Sequence, residues 1–236
     1  MYIFYQEDSS RNFLENEEAR HCAKVLRARI GDKIRITDGQ GTLSVGSITE
    51  IGSKRVSYQV LDMHQVPLPD YRIHMAVCPT RKAERNEWMV EKMTELGVHK
   101  IQFIVSEHTH RETIGRVLNL ERLHRIALSA MKQSQQYHLP EISIYSNLEM
   151  YVAQVEASER YIAYVASEDI PVHLIKQVRR QQPVEILIGP EGDFSTGEIE
   201  FAMAEGFKPV SLGNTRLRTE TAAVAACHSA VLAQIL

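Results

Sequence analysis

Hydrophobic and polar positions follow two different rhythms along this chain. From Tyr71 onward, short apolar runs alternate with longer stretches whose apolar residues recur every three or four positions. The runs predict strands at 71–79, 100–105, 141–145, 161–166, 184–189 and 207–213. The periodic stretches predict helices at 85–98, 116–134, 148–156, 171–180, 195–206 and 218–236. Strands alternating with helices imply an α/β fold, a mostly parallel sheet covered on both faces. Before Tyr71 the rhythm is shorter. A strand at 1–5 and a helical stretch at 16–29 precede β-branched runs at 31–39, 41–51 and 54–63. Gly31, Gly39, Gly41, Gly46 and Gly52 punctuate them at the spacing of a small antiparallel barrel. The two prolines of "VPLPD", 66–70, predict a linker. The expectation is a β domain over 1–70 and an α/β domain over 71–236, with no internal repeat.

Several element ends are marked. In "RNEWMVEKMTELGV", Trp88, Met89, Met93 and Leu96 form one packing face and Gly97 a C-cap. Ser195 and Glu198 fit a capping box, with Phe194 and Ile199 at the staple positions. Gly206 and Pro209 mark the end of that helix. The segment "FSTGE" is thereby explained as a helix start and is given no other role. The last helix is apolar all round from Ala222 to Leu236, which predicts burial or an interface.

Composition narrows the class. Apolar residues make up 44% and charged residues 24%, as in ordinary globular proteins. The net charge of -3 leaves no global basic signature, so nucleic-acid binding would need a local patch. One exists at 20–35. Arg20, Lys24, Arg27, Arg29, Lys33 and Arg35 face only Asp32, six positive charges against one negative, or +5. By itself it reads as a solvated face balanced by Glu15, Glu17 and Glu18. Three scattered cysteines, Cys22, Cys78 and Cys227, fit a reduced chain better than disulfides or zinc. No signal peptide and no run near the ~18 residues of a membrane span is present, so a cytoplasmic location is expected. His108 and His110 have a metal-like spacing but no third ligand, and no metal is expected.

Chemistry concentrates in two loops at predicted strand ends, where open α/β sheets bind ligands. The first is "GPEGD", 189–193. Gly189 and Gly192 permit positive φ and close backbone approach, and Pro190 fixes the turn. Such a loop can hold a flat heterocycle by main-chain hydrogen bonds; a tight turn with a solvated Glu191 is the plainer alternative. It is neither a Walker loop nor a dinucleotide fingerprint. The second, "LGNTRLRTETAA" from Leu212, sets Arg216 and Arg218 before an apolar helix. Two arginines there suit a polyanion or a developing negative charge.

"LIGPEGDFSTGEIE" followed by "SLGNTRLRTETAA" closely resembles the signature of the RsmE-type enzymes of the SPOUT superfamily. Residues 21–39, 91–109 and 130–142 resemble further segments of that family, in the same order. Two departures are visible. Lys132-Gln133-Ser134 and Gln136 stand where the family often has Glu-Gln-Ser and an Arg. Thr215-Arg216-Leu217-Arg218 stands for Arg-Ile-Leu-Arg, so only Arg218 aligns cleanly.

The resemblance implies S-adenosylmethionine-dependent methylation of uridine N3 in small-subunit (16S) ribosomal RNA. It implies an N-terminal PUA-like RNA-binding barrel, a C-terminal trefoil-knotted domain and a homodimer. Its cofactor site carries over to Leu187, Ile188, Gly189, Pro190, Glu191, Gly192, Leu212, Gly213, Asn214 and Leu217. RNA contact is then expected of the basic patch, at Arg20, Lys24, Arg27 and Arg29, with Arg81, Lys82 and Arg85 extending that surface, and of Arg216.

The reaction itself sets requirements. Uridine N3 is a weakly acidic imide whose deprotonation spreads charge onto two carbonyls. Arg218 is the candidate to stabilise it, and Glu191 or Glu220 the candidate proton acceptor. Glu220 also has a structural explanation at a helix N-terminus. A related enzyme acting on transfer RNA and a non-catalytic RNA-binding assembly factor are the alternatives.

Overall fold

The computed structural model describes residues 2–165 and 170–236. By internal contacts the chain divides into two units. One runs through Leu68 and adds Met131–Leu139; the other comprises Pro69–Ala130 and Pro140–Leu236.

The first unit is a five-stranded sheet, β1 (Ile3–Tyr5), β2 (Phe13–Glu15), β3 (Lys33–Thr37), β4 (Thr42–Ile51) and β5 (Arg55–Gln65), in the order β1-β3-β4-β5-β2. Only β1 and β3 pair in parallel. Alternate strand residues Ile34, Ile36, Val56 and Tyr58 join Phe4, Leu14 and Ile48 in its core. The helix expected over 16–29 is shorter. It forms α1 (Asn16–Arg20), then one wide turn over His21–Val25, and is over at Arg27, whose φ is 51°. The segment 131–139 completes this unit. Gly41 N donates to Tyr137 O at 2.9 Å and Leu139 N to Gly39 O at 2.8 Å. Gly41 has φ 96°, and a Cβ there would fall 2.5 Å from His138 Cε1. Lys132 pairs with Glu18, which also accepts from Tyr5 N.

The second unit is a six-stranded parallel sheet. Its strands are β6 (Ile73–Val77), β7 (Lys100–Ile104), β8 (Glu141–Tyr145), β9 (Glu159–Ala163), β10 (Val184–Ile188) and β11 (Lys208–Val210). The order is β11-β9-β10-β6-β7-β8. β10 lies between β9 and β6 and is buried along its whole length, so its apolar run does not alternate. The helices are α2 (Ala83–Glu95), α3 (Ile114–Val117), α4 (Leu120–Gln133), α5 (Leu148–Val152), α6 (Thr196–Ala204) and α7 (Thr219–Ile235). α7 packs on α2, β6 and β10.

Local signals at element ends hold. The Ser195–Glu198 capping box forms, Phe194 and Ile199 share one core cluster, and Gly97 and Gly206 follow their helices at φ 85° and 88°. Four expectations do not. The helix expected at 116–134 is two, because Asn119 caps a fresh start by accepting from Arg122 N at 3.0 Å. The helix expected at 171–180 is only a tight turn at Leu174–Lys176. Leu174 N donates to Ser211 O, and Ser211 N to Val172 O, so that backbone is held extended beside β11. Trp88 is 42% exposed, whereas Met89 and Met93 are fully buried; the packing face of α2 excludes the tryptophan. The strand expected at 161–166 ends at Ala163, and Ala166 lies outside the described residues.

Candidate functional site

The turn after β10 is held mainly by Asp193. Asp193 N donates to Pro190 O at 3.0 Å. Its carboxylate accepts from Phe194 N and from Val165 N, both at 2.8 Å. Its carbonyl takes His108 Nδ1 at 2.9 Å. The positive φ expected of Gly189 and Gly192 falls on Asp193 instead, at 66°. Gly189 is required for proximity. A Cβ there would lie 3.1 Å from Asp193 Oδ1 and 3.2 Å from Phe194 N, both fixed by hydrogen bonds.

The loop after β11 has fewer ties. Ser211 Oγ accepts from Gly213 N and donates to Gly213 O, each at 3.1 Å, and Gly213 has φ 131°. Arg216 and Arg218 are exposed and form no ion pair or side-chain hydrogen bond among the described residues. Arg218 is the residue from which α7 starts. Next to it, Thr219 Oγ1 donates to Gly189 O at 3.1 Å, joining the two loops.

Between the loops lies a cavity of about 710 Å³ at the carboxyl ends of β9, β10 and β11. Of the candidate cofactor residues, Ile188, Gly189, Pro190, Glu191, Leu212, Gly213, Asn214 and Leu217 line it, and so do Arg216 and Arg218. Leu187 lies in the core, and Gly192 lines a second cavity on the other side of the turn. Arg81 and Lys82 are exposed on the segment between β6 and α2. Arg20, Lys24, Arg27 and Arg29 are exposed on the other unit. Of the acids expected to balance them, Glu18 is committed to Lys132 within that unit.

Sequence reasoning set Arg81 and Arg85 on an RNA-facing surface, but not their approach to the candidate carboxylates, and missed Asp193, Tyr164 and Val165 as cavity residues. Arg85 lines the large cavity from the first turn of α2 and bridges both candidate carboxylates, Glu191 at 3.7 Å and Glu220 at 3.4 Å. Arg81 approaches Glu191 at 3.6 Å from the opposite side of the turn. Asp193 and the β9 loop residues Tyr164 and Val165 also line the cavity. Only the helix-start position of Arg85 hinted at it; its partners lie far away in sequence. Glu198, given no role beyond capping, also accepts Glu107 N at 2.8 Å and steadies the loop after β7. Glu220 is buried, and its Oε2 has no hydrogen-bond partner in the described structure.

The cysteines supply no nucleophile. Burial pushes the Cys78 and Cys227 thiols up to about 12, far from the thiolate that reactivity needs. Among the described residues no cluster of His, Cys, Asp or Glu could hold a metal ion, and no helix is long and apolar enough to cross a membrane.

Residues 67–231 match the family model of the RNA methyltransferase domain, and residues 14–61 that of the RNA methyltransferase PUA domain. This chain is a member of the RNA methyltransferase domain family. Relatives named ribosomal RNA small subunit methyltransferase E accompany it. That of Buchnera aphidicola is 27% identical, covering 95% of this chain and 90% of its own. That of Synechocystis is 29% identical, covering 89% and 69%. A probable rRNA-methyltransferase from Porphyromonas gingivalis superposes with a TM-score of 0.92 at 40% identity, over 100% of this chain and 99% of that one. A Legionella pneumophila methyltransferase solved with bound SAM has a TM-score of 0.84 at 27% identity, over 99% and 98%.

Proposed function

We propose that this RNA methyltransferase transfers the methyl group of S-adenosylmethionine to N3 of a uridine in 16S ribosomal RNA. One observation carries the reading. One cavity has a main-chain wall held by hydrogen bonds on one side and, on the other, two guanidinium groups with no partner among the described residues. Its volume falls within the usual range for small-molecule sites. Apolar Ile188, Val210, Leu212 and Leu217, with the backbone of Gly189 and the exposed backbone of Gly213 in the lining, suit an adenosine that also carries polar edges. When bound, S-adenosylmethionine supplies an electrophilic methyl group on a sulfonium.

The chain's own residues do the rest. The 189–193 turn and the 211–218 loop fix the direction of approach, and positioning of this kind accounts for much of the rate in such displacements. Arg218 stabilises the negative charge that spreads over the uracil carbonyls as N3 loses its proton. Glu191, on the rim of the cavity, accepts that proton. Arg216 holds RNA phosphate.

The wider arrangement belongs to the same proposal. Residues 1–70 form the RNA-binding domain, a small PUA-like barrel presenting Arg20, Lys24, Arg27 and Arg29. Residues 71–236 form the catalytic domain, with Arg81 and Lys82 extending the RNA surface. A trefoil knot is supported by the path of the chain's end. β11 is an edge strand, yet α7 returns to β6 and β10, and Thr219 bonds to the end of β10. A homodimer is supported by exposed Ile235 and Leu236 on an otherwise apolar α7. The site of action is the cytoplasm, where the ribosomal substrate is.

The test is methyl transfer from labelled S-adenosylmethionine to unmodified small subunits, naked 16S RNA and transfer RNA, followed by nucleoside mass spectrometry. 3-Methyluridine from the small-subunit RNA is the expected product. Label confined to transfer RNA would replace the substrate, and absence of cofactor binding would overturn the cavity's assignment.

A further inference from the structure

The second cavity, of about 470 Å³, opens at the carboxyl ends of β6, β7 and β10. Pro190 and Glu191 line it as well as the larger cavity, so the two are separated by one turn of backbone. Its volume is that of a small-ligand site, and its polar lining is mixed in sign. Arg81 offers donors and positive charge, His108 and His110 offer ring nitrogens, and Glu107 and Glu191 offer carboxylates. Arg81 is exposed, and its ion-pair partner in the described structure is Glu191 at 3.6 Å, so its fork retains spare donors. His108 Nδ1 is occupied by the Asp193 carbonyl, leaving Nε2 as the ring's remaining polar atom. A bare anion would meet repulsion from Glu107, and an apolar molecule would offer nothing to the spare donors of Arg81 or to the Glu107 carboxylate. A ribonucleotide carries both a phosphate for Arg81 and hydroxyl donors for Glu107.

We infer that this cavity holds a nucleotide flanking the target uridine, its phosphate on Arg81 and His108 and a ribose hydroxyl on Glu107. The inference rests on the RNA methyltransferase reading above. It gives the 189–193 turn two faces, one for cofactor and one for RNA.

Two variants of the full chain test it. His108→Asn keeps a donor near Nδ1 for the Asp193 carbonyl and removes Nε2. Ile114→Trp fills the cavity without removing a polar group. Calorimetry with S-adenosylhomocysteine and steady-state methylation of small-subunit RNA are the readouts. The expected result is an unchanged affinity for S-adenosylhomocysteine and an unchanged kcat, with KM for RNA raised about tenfold in His108→Asn, the size of one lost hydrogen bond to a charged group, and by at least as much in Ile114→Trp, which excludes the nucleotide. An unchanged KM in both variants overturns the inference. So does a loss of S-adenosylhomocysteine affinity, which would make these residues mere supports of the turn. A wild-type chain that binds S-adenosylhomocysteine but methylates no RNA overturns the underlying reading, and that failure is seen before any variant is made.

Discussion

The two loops that face each other across the large cavity are built in opposite ways. The 189–193 turn is tied at nearly every polar atom of Asp193, and Thr219 reaches across to Gly189. The 211–218 loop is tied at Ser211 and Gly213, while its two arginines have no partner among the described residues. Backbone held in place before the ligand arrives lowers the ordering cost of binding. Unpaired guanidinium groups do the reverse: they are kept available for charge that exists only once substrate is bound or reacting. On the proposed function, both loops line the cofactor cavity, the first as a pre-formed wall and the second as the one that also presents arginines to anionic substrate.

The sharpest way to break that contrast is Arg218→Ala. If Arg218 meets developing charge, kcat falls by roughly 10²–10³ while the dissociation constant of S-adenosylhomocysteine stays put. A comparable loss of cofactor affinity would erase the distinction between the loops.

Gly189→Ala tests the other side. Its new Cβ would press on Asp193 Oδ1 and Phe194 N, neither of which can yield without giving up a hydrogen bond. Cofactor affinity should fall by about tenfold, the equivalent of one such bond, with kcat at saturation little changed. Calorimetry reads it directly.

The smallest expected effect is that of Thr219→Val, which removes the single tie between the loops. Leaving the Gly189 carbonyl without that donor costs about 1 kcal/mol, or roughly 2–4 °C in Tm for a chain of this size. Differential scanning calorimetry would register it. An unshifted Tm would mean that α7 holds the loops together through packing alone.

How much of this was legible in the sequence depends on the range of the interaction. β10 was legible because a strand buried on both faces is apolar at nearly every position, its one charge, Glu185, pairing with His74, and the α6 start because a capping box is local. The helix expected at 171–180 failed because the Leu174 amide and the Val172 carbonyl are both claimed by Ser211, and no pattern within the segment records that rival. The glycine-rich turn was recognised, but its φ signature was misassigned: proximity explains Gly189, and Asp193 adopts the left-handed conformation. Arg85 reads locally as one more charge on an exposed helix start, and becomes a site residue only when Glu191 and Glu220 are folded beside it. The same holds for Lys132, a departure from the family pattern whose partner, Glu18, lies in a different part of the chain.

The placement of residues 131–139 has a consequence for synthesis. Bonds from Gly41 and Leu139 close the first unit only when that later segment is present. At elongation rates of about 5–20 residues per second, roughly 4–14 s pass between the emergence of Leu68 and that of Leu139. During that interval β3 and β4 can pair, but the amide of Gly41 has yet to meet Tyr137. The part of the molecule that is made first is therefore among the last to be finished, and its maturation is timed by translation of the middle of the chain.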